Sequence, residues 1–302
     1  MEKLAFDACV ESGYAMRVLR AALITWLIGF ASLLTSVAGE TPASTSPPTL
    51  PFRVGEKLHY KIFWGILEVG TATLEVKELI ELGGHPAYHI VGTIMSNSFI
   101  SKIYPVKSTV ETFLDADGLY SRSFVEDRRE GRHQRQRKTT LDYDRKSGEI
   151  ITPKKTKTFD LPGPVQDGFS TIYFLRTQPL RPNTEQKFAA ISSDKVGEVT
   201  MRSHEKKMIS ILHVGRFPAI RVVPSSNFET IFAREGGGMT VWVTDDERKI
   251  PVIMIAKIAV GSVKAELMRI EGAIPTKTTF SGATAPTVHQ PIDKTGLRGR
   301  HK

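Results

Sequence analysis

The sequence predicts a mainly β fold, an antiparallel barrel or half-barrel carrying one or two short helices. Three observations predict it. Apolar and polar residues alternate with period two along most of the chain, the pattern of strands with one buried face. Gly, Asp and Pro turn signals recur between these runs, joining many short strands and leaving little room for the crossovers of a βαβ fold. Helical spacing is confined to two short stretches, 98–104 and 167–177.

The first strand is 58–64, where Leu58, Tyr60, Ile62 and Trp64 share one face and His59 and Lys61 the other. Past Gly65 the alternation resumes, with Leu74 and Val76 opposed to Thr73, Glu75 and Lys77. Gly83-Gly84 supplies the positive φ of a tight hairpin, and Tyr88 and Ile90 begin the next run. Over 98–104, Phe99, Ile100 and Ile103 fall on one side of a short helix, which Pro105 closes. Val106, Ser108, Val110, Thr112 and Leu114 define a strand that ends at the turn 115–118. Strands follow at 119–126 and 133–143, with a turn expected at Ser147-Gly148. The second helix, 167–177, takes Asp167 as its N-cap. It carries Phe169, Ile172, Tyr173 and Leu175 at helical spacing and stops before Pro179. Further strands are expected at 150–159, 186–191, 196–203, 206–213, 218–223, 239–244, 250–258 and 262–270. Tyr60, Trp64, Phe113, Tyr143, Tyr173, Phe174, Phe188 and Trp242 are the expected interior aromatics.

The flanks carry different information. The chain has 302 residues, 41 Lys+Arg against 32 Asp+Glu, a net charge of +9 and 40% hydrophobic residues. That balance is globular, neither disordered nor polytopic. A single cysteine, Cys9, excludes a disulfide scaffold, an iron–sulfur site and a Cys-based zinc knuckle. Residues 21–34 are uncharged, follow Arg17 and Arg20, and lead into Ser36-Val37-Ala38. This order describes a secretory signal peptide over 1–38, cleaved near Ala38. The alternative is an inner-membrane anchor formed by 21–38, although a spanning helix needs about 20 apolar residues. Glu2, Asp7 and Glu11 fit no part of a signal, so translation is expected to start at Met16. The product is then periplasmic or secreted. Residues 39–51 read as a Pro/Ser/Thr linker, 52–273 as a single β-rich domain and 274–302 as a disordered basic tail.

Several segments together resemble a bacterial family known as domain of unknown function 3108. They are Pro51-Phe-Arg-Val-Gly-Glu-Lys-Leu58, Trp64-Gly-Ile-Leu-Glu-Val-Gly-Thr-Ala-Thr-Leu74 and Ser101-Lys-Ile-Tyr104. Val165-Gln-Asp-Gly168, Tyr173-Phe-Leu-Arg176, Trp242-Val-Thr-Asp-Asp-Glu-Arg-Lys-Ile-Pro251 and Gly261-Ser-Val-Lys-Ala-Glu-Leu267 complete the set. The resemblance implies an exported, β-rich protein of Gram-negative bacteria with no established activity and no catalytic residues to carry over. The Trp-to-Pro ending is also similar to the strand–turn–strand of envelope half-barrels that carry lipids or lipoproteins, a likeness at the level of fold.

Candidate chemistry is sparse. His85 and His89 are four apart but sit at a turn and in a strand, whereas a zinc pair at that spacing needs a helix. Gly168-Phe-Ser170-Thr171 lacks the second glycine of a nucleophile elbow. Asp245-Asp246-Glu247 lacks the alternating oxygens of a calcium loop and reads as a charged turn capped by Asp. No cofactor, metal or catalytic residue is therefore expected.

The most unusual surface feature is the basic run Arg128, Arg129, Arg132, Arg135, Arg137 and Lys138, within a region (122–157) of net charge +6. Arg132 and Lys138 share one strand face and Arg135 and Arg137 the other, so the expectation is a hairpin tip projecting into solvent. Such a tip either resists edge aggregation or touches anionic envelope material and the membrane periphery; export argues against nucleic acid. If the barrel is hollow, Trp64, Phe99 and Ile103 near its mouth are the candidate lining of a lipid cavity. The leading expectation is a non-enzymatic envelope protein that binds an apolar or amphipathic ligand such as a lipid. A filled barrel acting as a structural or protein-interaction module is the alternative, and an envelope hydrolase the third.

Overall fold

The computed structural model describes residues 50–212, 214–226, 238–257 and 261–273. The expected signal peptide, most of the linker and the basic tail lie outside the described residues. Fourteen strands form one antiparallel sheet. The first eight are β1 (Lys57–Trp64), β2 (Leu67–Leu82), β3 (His85–Ser96), β4 (Lys107–Asp115), β5 (Ser121–Glu130), β6 (His133–Asp142), β7 (Ser147–Ile151) and β8 (Thr156–Asp160). The rest are β9 (Glu185–Ser192), β10 (Lys195–Ile211), β11 (Gly215–Ser226), β12 (Met239–Thr244), β13 (Pro251–Lys257) and β14 (Ser262–Glu271). Neighbours in sequence are neighbours in the sheet, and β14 returns to pair with β1, leaving β8 and β9 as the two edges. Among the described residues two helices accompany it, α1 (Ser98–Ile103) and α2 (Ser170–Thr177).

Bulges curl this sheet, since an extra residue in one strand bends it and increases its twist. Register shifts fall between Val76 and Glu78, between Ser203 and Lys206, and between Trp242 and Val243. The segment 161–169 then crosses between the two edges. Ser121 donates its N–H to Val165 O at 3.0 Å on one side. On the other, Gln166 donates to Ala189 O and Ile191 to Gln166 O, both at 2.8 Å. Leu161 and Val165 pack with Phe124, Leu141 and Ile191 from both halves of the sheet. Lys157 on β8 pairs with Asp194 just after β9. The sheet is thus a barrel-like curl laced at its open seam by a strap, with α2 on its concave side.

Four expectations change. The runs 196–203 and 206–213 are one strand, β10, because His204-Glu205 makes a bulge instead of a turn. The run 150–159 is a hairpin, β7–β8, broken at Thr152-Pro153, where Thr152 Oγ1 accepts from Lys155 N–H and donates to Lys155 O. The turn expected at Ser147-Gly148 forms over 143–146, closed by Arg145 N–H donating to Asp142 Oδ1 and by Lys146 at φ 52°. Gly148 lies inside β7, where the Phe159 ring occupies the space a Cβ would need. Phe113 is also not interior. Thr112 and Leu114 take the inward positions of β4, and Phe113 stacks on His89 on the outer face.

Candidate functional site

A pocket open to solvent lies between α2 and the concave face. Its wall is chiefly apolar, with Phe124 from β5, Phe169 and Ile172 from the start of α2, Met201 from β10, Val241 from β12 and Met254 from β13. Glu126, Arg137, Asp167, Thr171 and Ser193 bring polar groups to it. Gly92 on β3 admits the Phe169 ring, which would stand 2.5 Å from a Cβ at that position.

Asp167 is fixed by its own chain and by the sheet. Its Oδ1 accepts from Thr112 Oγ1 at 2.9 Å and from the N–H groups of Phe169 and Ser170 at 2.8 and 3.1 Å. Its Oδ2 accepts from Ser121 Oγ at 2.6 Å. Ser170 Oγ in turn accepts from the Asp167 N–H at 2.7 Å, a reciprocal cap in which Ser replaces the usual Glu. Asp167 therefore caps α2, as expected, though the helix proper starts at Ser170. Burial pushes its carboxyl above the usual carboxylate range, against the opposing effect of the Ser121 hydroxyl and the other donors.

Charge enters through β5 and β6. Phe124, Glu126, Arg128 and Glu130 alternate inward, opposite Thr139, Arg137, Arg135 and His133 of β6. Glu126 accepts from Arg137 Nε and also pairs with its Nη2. Arg128 Nη2 stands 2.9 Å from Glu126 Oε1 as an ion pair. That contact lies off the hydrogen-bonding direction, and Arg128 Nε and Glu130 Oε1 are buried with no hydrogen-bond partner among the described residues. Burial raises the Glu130 carboxyl against the pull of Arg128, and burial also weakens the hold of Arg128 on its proton.

The six basic residues singled out in the sequence divide accordingly. Arg128 and Arg137 are buried at 4% and 5% exposure, whereas Arg129, Arg132, Arg135 and Lys138 are exposed. Arg129 pairs with Asp127 at 2.9 Å. The hairpin tip does not project freely: Gly131 N–H donates to Pro105 O at 2.7 Å and the Tyr104 ring packs over Gly131. The reason lies in Glu126 of β5, which pairs both with Arg137 across the ladder on β6 and with Arg128 on its own strand. Acids and bases alternating at i, i+2 directly after Phe124 were the signal for a paired strand face.

Trp64, Phe99 and Ile103 do not line the cavity. Trp64 is half-buried against the main core, and Phe99 and Ile103 are 56% and 46% exposed on α1. Helix α1 sits outside the end of β2 and β3, held by Asn97 Nδ2 donating to Glu68 O and Asn97 Oδ1 accepting from Ile100 N–H. It turns Ile100 alone into the core. The lining comes instead from strands distant in sequence, β4 through β13, which no local pattern announces. His89 lies in strand β3, as expected, and is buried between Glu78 and Glu111 at 3.1 and 2.7 Å. Asp246 caps its turn as expected, accepting from Thr244 Oγ1 at 2.6 Å and from the N–H groups of Arg248 and Lys249.

Fold and site together define a class, a curled antiparallel β-sheet protein with an apolar cavity on its concave side. The chain belongs to the family described as protein of unknown function (DUF3108), whose model matches residues 59–268. Three solved structures are similar. A β-barrel-like protein of domain of unknown function DUF1849 from Brucella abortus is 14% identical, with a TM-score of 0.49, over 72% of this chain and 97% of that one. A candidate exported protein with a YmcC-like fold from Bacteroides fragilis is 12% identical, with a TM-score of 0.28, over 73% and 97%. A candidate lipoprotein from Parabacteroides distasonis is 10% identical, with a TM-score of 0.28, over 74% and 100%. None of the curated proteins compared matches the chain. Among the described residues, no helix is long and apolar enough to cross a membrane.

Proposed function

We propose that the protein is an exported, non-enzymatic envelope protein that holds an apolar or amphipathic ligand, such as a lipid, in the concave cavity. The observation that carries this reading is the cavity itself, walled by Phe124, Phe169, Ile172, Met201, Val241 and Met254. Apolar surface of that kind gains free energy by taking up apolar ligand atoms. Asp167 spends both carboxylate oxygens on capping α2 and tying it to β4 and β5, which suits a wall more than a catalyst. The exposed Arg129, Arg132 and Lys138 favour contact with anionic envelope surfaces, and the signal-like run 21–38 supports export.

The test is displacement of an apolar fluorophore, N-phenyl-1-naphthylamine, from the purified full chain by long-chain amphiphiles. Saturable uptake, abolished when Ile172→Trp fills the cavity, is expected. Absence of uptake in a folded protein contradicts the reading and leaves the structural or protein-interaction module in its place.

A further inference from the structure

The charged cluster beside the cavity is built for more than holding β5 to β6. Glu126 has both carboxylate oxygens committed, one to Arg137 and one to the ion pair with Arg128. Two buried guanidinium groups therefore share one fully engaged carboxylate. The exposed Arg135 stands opposite Arg128 in the ladder and adds a third positive charge on the same face. The second acid, Glu130, keeps a buried oxygen without a partner, and its carboxyl is raised by burial, which weakens it as a counter-charge. The balance of the face is cationic.

The geometry of Arg128 narrows the chemistry. Its Nε has no hydrogen-bond partner among the described residues, and its Nη2, 2.9 Å from Glu126 Oε1 in the ion pair, makes no directed hydrogen bond, although the side chain is 4% exposed. These two nitrogens form the edge on which guanidinium grips a carboxylate or phosphate through two parallel hydrogen bonds. A buried donor left without an acceptor costs about 1–3 kcal/mol, so an anion at this edge recovers a penalty the free protein carries. Glu126 and Arg137 line the cavity, and Arg128 is the next inward position along β5. Arg128 itself does not line the cavity, so a head group held on it is reached past the lining Glu126 and Arg137, and the wall beyond Phe124 is apolar.

Building on the proposed cavity function, we infer that the ligand is an anionic amphiphile, its carboxylate or phosphate head held on the Nε–Nη2 edge of Arg128 and its acyl tail in the apolar cavity. The shared chemistry is a compact oxyanion on a hydrocarbon chain. A free fatty acid and a monoacyl phosphate are the two sources.

Titration of the purified full chain with laurate, dodecyl phosphate, methyl laurate and inorganic phosphate separates the elements of this inference. Laurate, dodecyl phosphate or both should bind about tenfold or more tightly than the neutral ester, the value of a lost charge-assisted pair. Whichever binds more tightly identifies the source. Arg128→Gln should remove the preference and leave the ester's affinity unchanged, and Arg128→Lys should restore it in part. Arg145→Gln, on the exposed turn between β6 and β7, should change neither. Equal affinity for acid, phosphate and ester in the wild-type protein overturns the inference and leaves the cavity reading standing. Tight binding of inorganic phosphate alone, with no gain from a tail, overturns the amphiphile. Failure of all four ligands to bind overturns both readings. The wild-type comparison decides the matter even if an Arg128 variant does not fold.

Discussion

Arg176 and Glu56, 120 positions apart, meet as a bidentate ion pair at 2.5 and 2.8 Å with both side chains wholly excluded from solvent. The same guanidinium donates to Pro51 O at 2.8 Å and to Arg248 O at 3.0 Å. It also lies over the rings of Phe52 and Tyr173, at 5.7 and 5.3 Å from their centroids. One side chain thereby ties the segment before β1, the end of α2 and the β12–β13 turn together. The last residue of the expected linker, Pro51, is part of this core.

Breaking that pair from one side strands a buried charge. Arg176→Leu is expected to lower stability by about 3–5 kcal/mol in urea unfolding. The double variant with Glu56→Leu should lose clearly less than the sum of the two single losses, because no unpaired charge then remains. Additive losses contradict the account.

Gly92→Val tests how α2 is seated. The new side chain must displace the Phe169 ring, which would be 2.5 Å from its Cβ. A loss of about 1–3 kcal/mol is expected, with altered fluorophore affinity because Phe169 lines the cavity. Wild-type stability and affinity would show that α2 does not pack there.

Asp246→Ala removes a side chain that closes the β12–β13 turn through three donors on Oδ1 and the Arg248 guanidinium on Oδ2. The expected loss is about 2 kcal/mol in denaturant unfolding, from donors left without their acceptor. Asp246→Asn, which keeps one acceptor oxygen, should lose less.

Glu130 sets a pH dependence. Burial raises its carboxyl in the folded state above the usual carboxylate range, so the folded protein holds that proton more tightly than the unfolded chain. Its contribution is fully present below the unfolded pKa and is lost as pH rises through the folded one. Stability measured against pH should fall over that window in the wild-type protein, and Glu130→Gln should flatten the fall. An identical profile in the variant contradicts the assignment.

Strand identity was legible where alternation met a turn residue. Met239–Thr244 and the positive-φ pair Gly83-Gly84 lie where the pattern puts them. The pattern failed where a residue served packing instead of a turn. Gly148 makes room for Phe159, and Ser203–Lys206 absorbs a bulge within one long strand. The cavity was illegible because its wall joins strands from β4 to β13, and bulges decide which of their residues meet. The charged face was half legible. Its arginines stood out, but their burial follows from Glu126 and Glu130, acids that net charge averages away.

The most direct test of the central claim is mass spectrometry of the organic extract of protein purified natively from the envelope without detergent. A monoacyl anionic amphiphile, near stoichiometric in the wild-type protein and depleted in Ile172→Trp, is the predicted result. A wild-type extract holding no amphiphile above the level found with Ile172→Trp would contradict it.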